Sequence, residues 1–489
     1  MTRTATEVPD GVSVVRRALN EYGVRMEGPQ ETGESVNLAG EPYMKYAKHI
    51  LQNASLTGFL LFCAGTRLAA QAAAQAAPEA APQAVTELRN NRIYVHSIVP
   101  LTGASVRNVE SVDWSAKNNL LLFDKRGLNQ YYNIFSITSE GFRLSALTLE
   151  RGGGATELHN CSPSWHPGGR YFVFSGENRG STDNHRSGPG CGWHCNVWVS
   201  DREGSQFWQL TDLPTRYNTP RGATMPVFSP DGKMLFWTGF TGKDAPTTPY
   251  ERRDLHLADF SLENGVPSIA NEQVFQPGRR KEFYESYGFS PDGSRLLFAA
   301  NLEDGQPWYC MDICTLVRGE SEPVVLAPNA GGWDRYAVYS PDGKKILWSS
   351  SRTFNVPFLG PGGTAWTKYL RSELWIMDAD GNNPRQLTFF NRPGAPEFNG
   401  RRAFVGDLSW GPDGSRLALI LHRETRNFDV ESQVFLVTLG KDTPAAAKAV
   451  QAPAEERPEA APAPAPAPPG RAEKSAPKGP ADAPTAPRW

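Results

Sequence analysis

One unit recurs six times along this chain, and it limits what the chain can fold into. An aromatic residue precedes a four-residue turn, and an apolar run follows it. The turns read Ser229-Pro230-Asp231-Gly232, Ser290-Pro291-Asp292-Gly293 and Ser340-Pro341-Asp342-Gly343. Close variants are His166-Pro167-Gly168-Gly169 and Gly411-Pro412-Asp413-Gly414, and Ser115-Ala116-Lys117-Asn118 is a degenerate copy. Proline presets φ at the first turn position, aspartate bonds local backbone, and glycine takes positive φ. Each unit is therefore a tight turn between two strands. The residue before the turn is aromatic in all six units: Trp114, Trp165, Phe228, Phe289, Tyr339 and Trp410. Eight residues after the turn begins stand Phe123, Phe174, Trp237, Phe298, Trp348 and Leu419, aromatic in five of six. With 11% aromatic residues overall, chance does not produce that pattern.

A third strand follows in each unit, opening on a polar residue: Asn133, Asn196, Asp254, Asp312, Glu373 and Gln433. A fourth holds Leu210-Thr211, Val274-Phe275, Val325-Leu326 and Leu387-Thr388. Four antiparallel strands repeated six times make an all-β, six-bladed β-propeller. The sixth unit lacks a fourth strand, because low-complexity sequence begins at Ala445. Ile93 to Leu101 lies where such a strand would precede the first unit. The expectation is that this N-terminal strand completes blade 6 and closes the ring, which removes exposed edges.

The flanks do not share the pattern. Residues 1–43 read as a polar extension, 44–72 as a hydrophobic segment, 73–91 as an Ala/Pro linker, 92–440 as the propeller and 441–489 as an Ala/Pro-rich tail. Twelve of the last 49 residues are proline, which fits an extended, disordered spacer. Lys45 and Lys48 flank an apolar run from Leu56 to Gly65, with Ala70 and Ala72 after it. If translation starts at Met44, this has the shape of a secretory signal. The chain is then periplasmic or otherwise exported; uncleaved, it is cytoplasmic. Fifty basic against 52 acidic residues give a net charge of −2, which argues against a nucleic-acid partner. No run of 18 apolar residues occurs, so no integral membrane domain is expected after signal removal.

The SPDGK turns, together with Leu374-Trp375-Ile376-Met377-Asp378-Ala379-Asp380-Gly381 and Arg385-Gln386-Leu387-Thr388, resemble the PD40, WD40-like repeats of the TolB propeller family. The resemblance covers about 350 residues and implies a six-bladed propeller, often periplasmic, that binds partners or ligands. TolB carries an α/β domain ahead of its propeller, and residues 1–90 show no such pattern, so a Tol–Pal role is not implied. Related propellers serve prolyl oligopeptidases, which need a hydrolase domain; no G-x-S-x-G elbow occurs here.

Loops between second and third strands share one face with those leading to the next blade, and both sets are long. That face, over the central channel, is the expected binding surface. Its candidate ligand residues are Arg216, Tyr217, Arg221, Arg279, Arg280, Trp333, Arg335, Arg352, Arg401 and Arg402. Arginine grips carboxylates bidentately and aromatic rings stack on sugars, so a protein or carbohydrate ligand is expected there, on a monomer. The competing reading is that these charges pair with one another. Four of eight histidines and three cysteines fall in blade 2: His159, His166, His185, His194, Cys161, Cys191 and Cys195. Cys191 and Cys195 are candidates for a local disulfide. Cys-x-x-His-Cys is not a usual zinc spacing, and His166 can simply cap its turn. No complete catalytic constellation is visible, and no cofactor is expected. The rival function is a metal-dependent oligosaccharide lyase of the oligogalacturonate type. It would use a divalent ion with His159, His185, Arg216 and Arg335.

Overall fold

The computed structural model describes residues 93–441, apart from 104–105, 150–156, 182–185, 217–220, 241–251, 280–282, 330, 358–364 and 427–428. The segments read as 1–43, 44–72 and 73–91 lie outside the described residues, as does the tail beyond Lys441. The described residues belong to one unit, Thr86–Trp489. They form six four-stranded antiparallel sheets, one per repeat. The innermost strands are Val109–Trp114, Asn160–Trp165, Ala223–Phe228, Tyr284–Phe289, Asp334–Tyr339 and Ala403–Trp410, in blades 1 to 6. Ile93–Pro100 pairs antiparallel with Val430–Lys441, so the N-terminal strand is the outermost strand of blade 6. The ring closes as the sequence implied. A single turn of 3-10 helix, Ala365–Lys368, is the one helical element among the described residues, and none is long and apolar enough to span a membrane.

The repeated turn works as its residues require. In blade 3 the Ser229 hydroxyl donates to Asp231 (2.6 Å) and accepts from the Met234 N–H (3.0 Å), while Asp231 accepts from the Lys233 N–H (3.0 Å). Gly232 sits at φ +70°, and a Cβ there would meet His166 Nε2 at 2.3 Å. Glycine is thus required twice, by conformation and by the neighbouring blade. His166 does cap its own turn, accepting the Gly168 N–H at 3.0 Å on Nδ1. The anchor and eighth-position aromatics are buried between sheets, with Phe123, Phe174, Trp237, Phe298 and Trp348 at 0–1% exposure.

The polar residue that opens the third strand also has a structural job. Asn196 accepts from Thr211 Oγ1 (2.7 Å) and the Leu213 N–H (2.8 Å); Glu373 accepts from Thr388 Oγ1 and the Phe390 N–H (both 2.8 Å). It ties the fourth strand and the loop to the next blade. Thr211 and Thr388 in turn accept the N–H of Val197 and Leu374, each at 2.9 Å. This accounts for the Leu-Thr pairs. In blades 2 and 5 the fourth strand, Phe207–Gln209 and Arg385–Gln386, ends just before those pairs.

Every innermost strand carries a bulge, with the register slipping between Val109/Val112, Cys161/Ser164, Thr224/Val227, Ser286/Gly288, Arg335/Val338 and Val405/Leu408. A bulge leaves backbone N–H groups unpaired within its sheet. In blades 1, 2, 4 and 6 a side chain of the preceding blade takes one up. Asp124 of blade 1 accepts Ser162 N–H of blade 2 (2.9 Å), and Thr238 of blade 3 accepts Ser286 N–H of blade 4 (2.8 Å). Ser372 of blade 5 accepts Val405 N–H of blade 6 (2.8 Å), and Asp407 of blade 6 accepts Val112 N–H of blade 1 (3.0 Å). Asp124 also accepts the Glu110 and Ser111 N–H groups of its own blade (3.0 and 2.9 Å). Asp124→Ala strands three buried donors and should cost about 3 kcal/mol in urea unfolding. Exposed Glu320→Ala should stay within about 0.5 kcal/mol; equal effects would refute the role of these ties.

Candidate functional site

The six innermost strands enclose a central cavity of about 1020 Å³, running from the loop rim to the turns. Each strand enters at the loop rim and leaves at the turn, so residues equally far from the anchor lie at one depth. Four positions before the anchor stand Glu110, Cys161, Thr224, Glu285, Arg335 and Gly406. Three of these are charged, and they give the channel its character.

At blades 3 to 5 the charge is positive. Arg253 Nη1 and Arg335 Nη1 lie 3.2 and 3.1 Å from the same carboxylate oxygen of Glu285. All three side chains are at most 5% exposed. Two guanidinium groups share one carboxylate, so the group carries one net positive charge in a low-dielectric setting. Arg253 also donates to the Gly190 carbonyl (2.8 Å) and packs 4.2 Å from the Phe283 ring centroid. Arg335 sits 5.6 Å from the Trp333 ring. The Tyr287 hydroxyl donates to the other oxygen of Glu285 (3.0 Å).

At blades 6 and 1 the charge is acidic. Glu110, Asp113 and Asp407 line the cavity, with Asp124 behind them, and Phe404 and His422 beside them. Burial, with Asp124 alongside, pushes the Glu110 carboxyl up to about 8, against the Tyr132 hydroxyl and Arg126. Burial pushes Asp407 up to about 7, against hydrogen bonds from Val112 and Leu408 and with Asp113 and Asp124 adding to the rise. Asp124 rises to about 6 for the same first reason. Burial, and then Arg402, drive His422 down to about 3, so its ring is neutral; it stacks on Phe404 at 4.3 Å.

Of the expected ligand residues, the cavity gathers Trp333, Arg335 and Arg402. Arg402 spends donors on the Thr367 and Leu370 carbonyls, both at 3.0 Å. Arg352 binds Asp334 of blade 5 (3.2 Å) and the Ala327 carbonyl in the loop from blade 4 (2.6 Å). Arg401 likewise reaches the Thr425 carbonyl (3.3 Å). Loop carbonyls at a rim need donors, and these arginines supply them. Arg216, Arg221 and Arg279 are exposed and do not line the cavity. Tyr217, Arg280 and His185 lie outside the described residues.

Of the lyase candidates among the described residues, Arg216 is on the exposed surface and Arg335 in the Glu285 cluster. His159 is buried between blades 1 and 2, where its Nδ1 accepts the Tyr132 N–H at 3.2 Å. Among the described residues no three His, Cys, Asp or Glu side chains are placed to hold a metal ion. The Cys191–Cys195 disulfide is also corrected. Both are buried free thiols, as are Cys161, Cys310 and Cys314. Cys195 opens a strand and turns its thiol to the Ser187 carbonyl (3.3 Å), while Cys191 packs with Trp308 and Phe283. Alkylation of the denatured, unreduced protein should label both residues; a 191–195 cross-link would reverse this finding.

Sequence reasoning missed Glu110, Asp113, Asp124 and Asp407. For Glu110 the available signal was a charge four places before the anchor, where a strand packed inside a ring has no water to receive it; the other three do not share that position.

No family model matches the chain. The uncharacterized peptidase YuxL of Bacillus subtilis is 25% identical over 167 residues, which are 30% of this chain. The chain spans 23% of that relative's length. A putative TolB from Agrobacterium tumefaciens is similar over 67% of this chain and 90% of its own, with 18% identity and a TM-score of 0.41. An oligogalacturonate lyase solved with manganese is similar over 72% of this chain and 98% of its own, with 12% identity and a TM-score of 0.38. These likenesses concern fold alone. The class is a six-bladed β-propeller with a charged, polarised channel.

The raised carboxyls make stability pH-dependent. The folded chain holds protons that the unfolded chain has released, so stability falls as pH rises toward the folded values. His422 opposes this only below its ordinary 6.5. The melting temperature should therefore fall between pH 6.5 and 8.5. The Glu110→Gln, Asp407→Asn double variant should flatten that slope, and an unchanged slope would contradict these assignments.

Proposed function

We propose that this chain is an exported binding propeller that holds an anion-bearing protein or carbohydrate ligand in its central channel. The observation that carries the reading is the Arg253–Glu285–Arg335 group. Its surplus positive charge lines a cavity whose size and aromatic walls suit a ligand. A carboxylate offered to Arg335 would neutralise that surplus with charge-assisted hydrogen bonds. Tyr287 and Tyr336, both half-buried, provide ring faces around it. The basic-then-apolar pattern of residues 44–72 supports export, and N-terminal sequencing of the mature protein tests that part.

Galacturonate and galactose share a ring and differ by one carboxylate. Galacturonate should raise the melting temperature at low salt and galactose should not. Arg335→Ala should remove the shift while the circular dichroism spectrum stays that of a β-protein. Equal shifts from both sugars, or a full galacturonate shift in Arg335→Ala, would overturn the carboxylate reading.

A further inference from the structure

The arginine group explains only one side of the channel. Blade 1 faces blade 4 across a ring of six, and blade 6 faces blade 3. Glu110 therefore looks toward Glu285 with its two arginines, and Asp407 looks toward the blade that contributes Arg253. Tyr336 lines the same cavity as Arg335, Glu285, Glu110 and Asp407. Tyr336 sits in its strand's bulge at φ +55°, a conformation that bulky residues rarely adopt. Ser162 and Met225 take the same conformation at the same bulge position (φ +51° and +54°), so it belongs to the bulge, and in blade 5 it carries a ring that lines the channel.

We propose that the channel takes a short peptide with free termini, its carboxylate at Arg335 and its terminal ammonium at Glu110 and Asp407. This rests on the binding reading above and adds the second charge. Burial disfavours the ionised form of the acidic wall and outweighs Arg126 beside Glu110, so the wall keeps its protons. An arriving ammonium replaces a proton there, and Phe404 and Tyr336 offer it aromatic faces. The groups that face Glu110 are Asp124, Tyr132, Arg126 and His422. Asp113 and Asp124 face Asp407. A free amino acid carries both charges on one carbon and cannot touch opposite walls. Three extended residues span about 10 Å, and a cavity of about 1020 Å³ has room for them.

The test is calorimetric titration of the full chain at pH 7 with trialanine, N-acetyl-trialanine and trialanine amide. Trialanine should bind, and each cap should weaken binding at least tenfold. Titration in two buffers of different ionisation enthalpy should show about one proton released per trialanine. Asp407→Asn should lower trialanine affinity and leave the acetylated peptide unchanged; Glu110→Gln is the second variant should the first misfold. If N-acetyl-trialanine binds as tightly as trialanine, the acidic wall takes no cation. That would overturn this proposal while leaving the carboxylate reading intact. If trialanine amide binds as tightly, the carboxylate contact itself fails. If no peptide binds, the peptide proposal is wrong, and the galacturonate comparison judges the carboxylate reading separately.

Discussion

The ring depends on one kind of contact: a side chain of one blade accepting the backbone N–H groups freed by the bulge in the next blade's innermost strand. Asp124, Thr238, Ser372 and Asp407 each make it. Among the described residues adjacent blades share no strand ladder, only the isolated Trp193–Gly222 bridge, so apolar packing alone would let them slide. Directional hydrogen bonds in a low-dielectric setting fix their angle and depth. The bulge is thus less a defect in each sheet than the socket into which the previous blade plugs.

The same contacts give the channel its chemistry. Serine and threonine serve as acceptors on one part of the ring, and carboxylates serve on the other. Asp124 and Asp407 therefore lie close to Glu110 and Asp113, and the four share too little solvent to ionise together. The opposite part of the ring places two arginines on one glutamate. A polarised channel follows from which blades received acids and which received arginines. Residues that hold the ring together and residues that would meet a ligand are, at Asp407, the same.

Much of the fold was legible in the chain. Proline, aspartate and glycine at fixed places set each turn, and the aromatic before it had to be buried between sheets. The spacing of Ile93–Pro100 to the first anchor implied closure through blade 6, and the pairing with Val430–Lys441 realises it. The candidate site was read less well. Exposed-loop arginines look alike in sequence, yet Arg352 and Arg401 are consumed by local carbonyls and a carboxylate, whereas Arg335 enters the channel. Cys191 and Cys195 looked like a staple by spacing, but one packs into a hydrophobic cluster and the other faces a carbonyl.

What the sequence determined by itself was local and periodic: turn geometry, strand alternation, the number of blades and the identity of the closing strand. These need only the preferences of neighbouring residues and a count of repeats. What the tertiary structure decided was which charges meet. Glu285 lies 32 residues from Arg253 and 50 from Arg335, and Asp407 lies 295 from Val112. Ring closure alone brings such residues together, and the burial it creates sets their charge states.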